Sequence, residues 1–454
     1  MTDKTTSPPP AYFLSLSLEN VRSFGNKQEV SFLNKKGEIA QWTIVLGDNG
    51  VGKTTILKSL VASSPVQDNN EVSFYISRYL VNWIYNWKPI RHRGQEAAII
   101  SYAAGVGSFL KNINNRKEYK FKWEQKLTVQ NQFDDLIKPK RSGTVLLDEV
   151  SSLVCYAYGA GRTVGESSLG EISSEDDSIS LFNDRANLLN PEEWFLQADY
   201  RIKSDDHSLT NQNFVLLRKA LIDVLDEVTD LKVSPVAPGG NPEQGLQFLT
   251  PYGWVRLRDM SLGYQTLVVW LTDFASKLFI RYPESANPLE EPAIVLIDEI
   301  DLHLHPEWQR KLIGFLSGIF KNTQFIATAH SPLVVQAAGD EGANVVLLKR
   351  VGDQTIVQQN PEDVRGWRVD QILTSTFFNL ETARSLKTEK KMTRQATLLN
   401  KAKLTAKERQ ELDSLTLELE GQPMGSADGE AEEAEILRQL TARLEQAPAK
   451  KRRA

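Results

Sequence analysis

Residues 47–54 read Gly47-Asp48-Asn49-Gly50-Val51-Gly52-Lys53-Thr54, the pattern G-x-x-x-x-G-K-[ST]. Glycines at these positions let backbone N–H groups converge on phosphate oxygens. The apolar run Trp42-Thr43-Ile44-Val45-Leu46 before the loop reads as a buried strand. The run beginning at Thr55 reads as a helix whose N-terminal dipole favours the same anion. Lys53 is expected to reach the β- and γ-phosphates of a nucleotide, and Thr54 to hold Mg²⁺.

A second constellation lies far along the chain. Ala293–Ile297 is a continuous apolar run followed by Asp298 and Glu299. Such a run makes a parallel strand buried on both faces, and its C-terminal end is where open α/β sheets bind ligands. Asp298 is expected to coordinate Mg²⁺, directly or through water, and Glu299 to polarise an attacking water as general base. Phe325-Ile326-Ala327-Thr328-Ala329 forms another strand, ending in His330 where it could bond the γ-phosphate. Ser261 and Gly263 open a strongly apolar helix, Thr266 to Arg281, in an anion-binding geometry that also suits plain helix capping. Val145-Leu146-Leu147-Asp148-Glu149 imitates the strand-plus-carboxylate pattern. It lacks the helix and histidine strand that follow the later copy, so Asp148 and Glu149 read as surface or linker residues. His303 and His305 beside Asp301 have ligand-like spacing for a metal, but Pro306 starts a helix there.

These groups need a scaffold, and 454 residues with 41% hydrophobic content supply one of two or three domains. No apolar run is long enough to cross a bilayer, and the N-terminus lacks a signal-peptide core, so no membrane partner is expected. A single cysteine, Cys155, fits a reducing cytoplasm, and a net charge of −5 argues against a surface that grips nucleic acid throughout. Four regions are expected: a head lobe at 1–62, an α+β insertion at 63–258, a second head lobe at 259–360, and a helical C-terminal region at 361–454 with a basic tail. The insertion shows no sustained heptads, hence no long coiled-coil arm. It carries an amphipathic helix, Phe214 to Leu231, and a hairpin around Pro251-Tyr252-Gly253. Residues 111–141 are basic. There Tyr119, Phe121 and Trp123 alternate with Lys120 and Lys122, either as a DNA-binding strand or as an amphipathic strand with solvated lysines. Near the C-terminus, Thr405 and Glu408 form a capping box, and helices 405–419 and 430–446 read as a helical hairpin, either docking another subunit or packing against each other and the head.

The ordered set Lys53-Thr54, Ser261/Gly263, Asp298-Glu299, His330 resembles the ABC-type ATPases, within them the SMC/RecF-like branch. That resemblance implies an α/β fold: an ABC-ATPase head with a mixed sheet and flanking helices. It also implies ATP and Mg²⁺ as cofactors and a head-to-head dimer, in which Ser261 and Gly263 of one copy meet the γ-phosphate held by the other. Leu18-Glu19-Asn20-Val21-Arg22-Ser23-Phe24 resembles the family's opening strand and basic loop. It puts Arg22 near nucleotide phosphate, unless that arginine is a solvated strand-end charge. Tyr158-Gly159-Ala160-Gly161-Arg162 resembles a recurring segment of the branch and implies a nucleotide or interface role for Arg162. Residues 298–306 and Ala329-His330-Ser331-Pro332 look more narrowly like overcoming-lysogenization-like defence ATPases. No toprim-like carboxylate cluster follows His330, so no built-in nuclease is expected. The shape is similar to the stand-alone ATPase subunits of anti-phage systems, Septu (PtuA-like) and PARIS (AriA-like). For such a subunit the expected partner is a separate nuclease or toxin effector. A RecF-like DNA-clamping ATPase is the alternative.

Overall fold

The computed structural model describes residues 10–63, 66–68, 71–73, 97–106, 121–130, 153–164, 177–183, 186–204, 209–225, 227–234, 245–401 and 403–420. The chain divides into two compact units, 1–379 and 380–454.

The first unit is organised by a six-stranded mixed sheet. Its order is Gln354–Gln359, Asn344–Val351, Trp42–Gly47, Thr323–Thr328, Ala293–Ile297, Cys155–Tyr158. All neighbours run parallel except the antiparallel edge pair 344–351/354–359. Successive side chains of a strand point to opposite faces, so a strand covered on both sides must be apolar throughout. Trp42, Ile44, Leu46, Val295, Ile297 and Phe325 enter one core, with the helices Leu209–Val224, Leu262–Arg281 and Pro306–Ile319. Val45, Ile294, Leu296 and Ile326 enter the other, with the helix Lys53–Ser63 and the strand Ala11–Glu19. The expected α/β class with a mixed sheet and flanking helices is the one found.

The stretch 63–258 does not stand apart as an insertion. Its strands Ala97–Val106 and Phe121–Gln130 extend the sheet of Gln28–Ser31 and Ala11–Glu19 in the order 28–31, 11–19, 97–106, 121–130. Its strand Cys155–Tyr158 is an edge of the main sheet, because Ile294 to Ile297 offers it a free parallel ladder. The expected helix Phe214 to Leu231 starts earlier and stops at Val224, and Leu231 belongs to a strand, Asp230–Ser234, paired with Gly245–Thr250. The expected hairpin forms as Gly245–Thr250 and Gly253–Arg256. Residues 107–120 and 131–152 lie outside the described residues. They hold most of the basic stretch 111–141, with Tyr119, Asp148 and Glu149.

The first unit also runs past residue 360. The helix Val369–Thr374 puts Ile372 into the core, and Phe377 follows it there. In the second unit the helices Leu386–Leu399 and Ala406–Glu420 pack on each other. The capping box holds: Glu408 N donates to Thr405 Oγ1 at 3.3 Å, and Thr405 N donates back to Glu408 Oε2 at 2.9 Å. The helix expected at 430–446 lies outside the described residues, and the partner observed for 406–420 is 386–399. Among the described residues no helix is long and apolar enough to cross a membrane.

Candidate functional site

The central strand Trp42–Gly47 delivers its C-terminal end to the glycine loop, and the helix Lys53–Ser63 leaves from it. Gly52 has φ of 104°, and a Cβ there would meet Ser23 Oγ at 2.6 Å and the Phe24 ring at 2.8 Å. Only glycine fits both the torsion and the space. The loop is braced from behind: Ser23 Oγ and Thr355 Oγ1 both donate to the Val51 carbonyl, at 3.0 and 2.8 Å. Asp48, Asn49 and Gly50 form its exposed rim, while Val51 and Thr55 are buried and Gly47 and Thr54 half-buried. Lys53 Nζ lies back across the loop, donating to the carbonyls of Gly47 at 2.7 Å and Asp48 at 2.9 Å. Burial pulls its pKa below the ordinary lysine value, against the opposing pull of Asp298, Glu299, Asp48 and Asp301.

The two motifs meet. Thr54 Oγ1 donates to Asp298 Oδ2 at 2.7 Å, across 244 residues of sequence. Thr328 Oγ1 donates to the other carboxylate oxygen at 2.6 Å and accepts from Glu299 N at 2.7 Å. Glu299 itself has φ of 50°, in the left-handed region. Its carbonyl accepts from Arg162 Nη2 at 2.8 Å. Arg162 is buried, which lowers its pKa to about 10 even with Asp298, Glu299 and Asp301 nearby, so it remains a cation at neutral pH.

The outlying residues are less tightly gathered. His330 is exposed, and its backbone N–H donates to Asp301 Oδ2 at 2.9 Å. Arg22 is exposed, with φ of 48°, one residue before the Ser23 that braces the loop. Ser261 is the exposed N-cap of the helix Leu262–Arg281 and makes no side-chain cap bond. Gly263 is buried instead: a Cβ on it would sit 2.4 Å from the His303 carbonyl. Its smallness serves packing of the helix start on the loop 301–304 of its own chain. His305 caps the helix Pro306–Ile319 through Nδ1, which accepts from Glu307 N at 3.4 Å. Among the described residues no three of His, Cys, Asp and Glu gather as a metal-ligand set. Sequence reasoning missed Thr328, since a threonine in an apolar strand looks like β-branched filler. Arg350 also lies beside the loop, its Nη2 3.8 Å from where a Gly50 Cβ would be.

The sheet, the loop and the carboxylate strand have the arrangement of a P-loop nucleotide-binding head. Comparison with known proteins agrees. Residues 162–336 match a family model described as "AAA domain, putative AbiEii toxin, Type IV TA system", and residues 15–148 match one described as "AAA domain". The chain is 27% identical to the Septu protein PtuA of Bacillus mycoides over 80% of its own length and 44% of that protein. It is 24% identical to "Retron Vc95 probable ATPase" of Vibrio cholerae, over 67% of its own length and 68% of that protein. A segment of 118 residues is 42% identical to "Retron Ec83 probable ATPase" of Escherichia coli, covering 26% of this chain and 21% of that one. The chain thus spans less than half of the Septu relative. Among solved structures, the SMC head domain from Thermotoga maritima aligns with a TM-score of 0.41 at 14% identity, over 76% of this chain and 98% of that one. The recombination mediator RecF with ATP aligns with a TM-score of 0.38 at 11% identity, over 78% and 99%. The chain is similar to the Septu and retron ATPases, and it carries the phosphate loop and Asp-Glu strand of an ABC-type ATPase head.

Proposed function

We propose that this chain binds Mg²⁺–ATP at the loop 47–54 and hydrolyses it. The observation that carries the reading is the 2.7 Å bond between Thr54 and Asp298, which makes one site of two distant motifs. The residues suit the ligand: the glycine loop offers N–H groups, and a hydroxyl and a carboxylate, both oxygen donors suited to Mg²⁺, lie side by side. Bound Mg²⁺ would neutralise charge at the β- and γ-phosphates. Thr54 and Asp298 would hold the ion, Lys53 would swing from the loop carbonyls to phosphate, and Glu299 would take a proton from the attacking water. His330 would face the γ-phosphate. Ser261, exposed at a helix start, would complete the site of a second copy in a head-to-head dimer. Because nucleotide then bridges two copies only when closed, ATP shifts the population toward the paired state. The similarity to Septu and retron ATPases supports a role as sensor and scaffold in an anti-phage system, controlling a separate nuclease or toxin.

The test is turnover and assembly in two variants. Lys53→Ala should lose nucleotide binding. Glu299→Gln should keep ATP binding, lose turnover by about 100-fold or more, and accumulate as ATP-bound oligomers. Wild-type turnover in both variants would overturn the site. Co-purification of a nuclease or toxin encoded beside this chain, dependent on ATP, is the result expected for the effector role.

A further inference from the structure

Arg162 is only 5% exposed, yet two of its three guanidinium nitrogens, Nε and Nη1, have no hydrogen-bond partner. The third, Nη2, holds the Glu299 carbonyl at 2.8 Å. A desolvated cation with unpaired N–H groups is costly unless an anion arrives to use them. Pinning Glu299 does not require this, since one neutral donor would serve and Thr328 already fixes the Glu299 N–H. Position indicates which anion: Arg162 holds the residue next to Asp298, and Asp298 is bonded by Thr54 of the phosphate loop. Asp298, Glu299 and Asp301 act on Arg162, and the same three act on Lys53. The two cations therefore share one carboxylate field, centred on the residue that Thr54 bonds.

We propose that Arg162 is a same-chain arginine for the terminal phosphate of the bound nucleotide. Nη2 stays on the Glu299 carbonyl while Nη1, beside it on the end of the guanidinium, donates to a γ-phosphate oxygen. The planar guanidinium fixes the directions of its N–H groups, so one side chain can hold a backbone carbonyl and a phosphate oxygen together. One side chain then touches both the group that is cleaved and the backbone of the residue that activates water. Loss of the γ-phosphate leaves Nη1 unpaired again, so Arg162 distinguishes ATP from ADP. This rests on the reading of loop 47–54 as a Mg²⁺–ATP site.

The experiment measures equilibrium binding of a non-hydrolysable Mg²⁺–ATP analogue and of Mg²⁺–ADP to the full chain, as wild type, Arg162→Lys and Arg162→Gln. In Arg162→Gln the analogue should bind about 10- to 100-fold more weakly while ADP affinity changes less than about twofold. Arg162→Lys should recover part of the loss, and it carries the same comparison if the glutamine variant does not fold. Equal weakening of both ligands, or an unchanged ratio, would overturn the proposal while leaving the ATP site in place. A wild type that binds neither ligand, or a Lys53→Ala variant that binds both normally, would instead remove the ATP reading, and this inference with it.

Discussion

Thr328 shows how much one hydroxyl does at this site. It donates to Asp298 Oδ1 at 2.6 Å and accepts the Glu299 N–H at 2.7 Å, so it orients both neighbouring acids. Glu299 needs that hold, because its φ of 50° is disfavoured for a residue with a side chain, by about 1–2 kcal/mol. Thr328→Val keeps the shape and removes both bonds. The Glu299 N–H then has no partner, a loss of about 1–3 kcal/mol for a buried donor. We expect a lower melting temperature and slower ATP turnover in Thr328→Val, with most of both restored in Thr328→Ser. Calorimetry and a turnover assay check this. A valine variant that melts and turns over like wild type would show that strand packing alone sets the Glu299 backbone.

At the scale of elements, the helix Leu262–Arg281 ties the site to the rest of the first unit at both ends. At its start Gly263 lies against the His303 carbonyl, leaving 2.4 Å for a Cβ. Both groups belong to backbone, so Gly263→Ala must displace the loop 301–304, at about 1–3 kcal/mol. Gly318 is the control: nothing lies within 4 Å of its Cβ position, and Gly318→Ala in the helix Pro306–Ile319 should be neutral or stabilising by up to about 1 kcal/mol. Thermal melts of the two variants separate close approach from mere helix propensity. Further along the same helix, Lys277 pairs with Asp273 at 3.0 Å and Asp177 at 3.4 Å, and Tyr158 donates to Asp273 at 2.8 Å. Burial works to lower the Lys277 pKa, but the two aspartates outweigh it and the net shift is upward. Burial, then Asp273, also pushes Tyr158 well up. Both groups bind protons more tightly folded than unfolded. Their contribution is therefore complete at neutral pH and falls as pH rises above about 10, where the unfolded chain loses its protons first. Melting temperature should drop across that alkaline range, and Tyr158→Phe should make the drop shallower. An equally steep drop in the phenylalanine variant would place the alkaline sensitivity elsewhere.

For the whole molecule, what could be read in advance divides by the distance over which it is encoded. The run Ala293–Ile297 announces a doubly covered strand because every side chain must meet a core, and all five are buried. Its partner Cys155–Tyr158 is short and carries no such mark, since ladder pairing is a property of backbone. Leu231 fits helical spacing and strand alternation equally well, which is why the helix expected to reach it ends at Val224. Lys53, Thr54, Asp298 and Glu299 were legible as residue types in a spacing that suits phosphate chemistry. Thr328 became visible only once two strands lay side by side. The same distinction decides where the first unit ends. Composition set a break at 360/361, whereas contacts place it at 379/380. Ile372 is fully buried and Phe377 is 6% exposed, both within the main core. Stopping the chain at residue 360 removes two large buried side chains, each worth about 2–5 kcal/mol, against a typical total stability of about 5–15 kcal/mol. Stopping it at residue 379 removes neither. A chain of 1–379 should therefore melt cooperatively near the temperature of the full chain, while a chain of 1–360 should melt far lower or precipitate. Equal melting of the two truncations would mean that Ile372 and Phe377 add little to the core they enter.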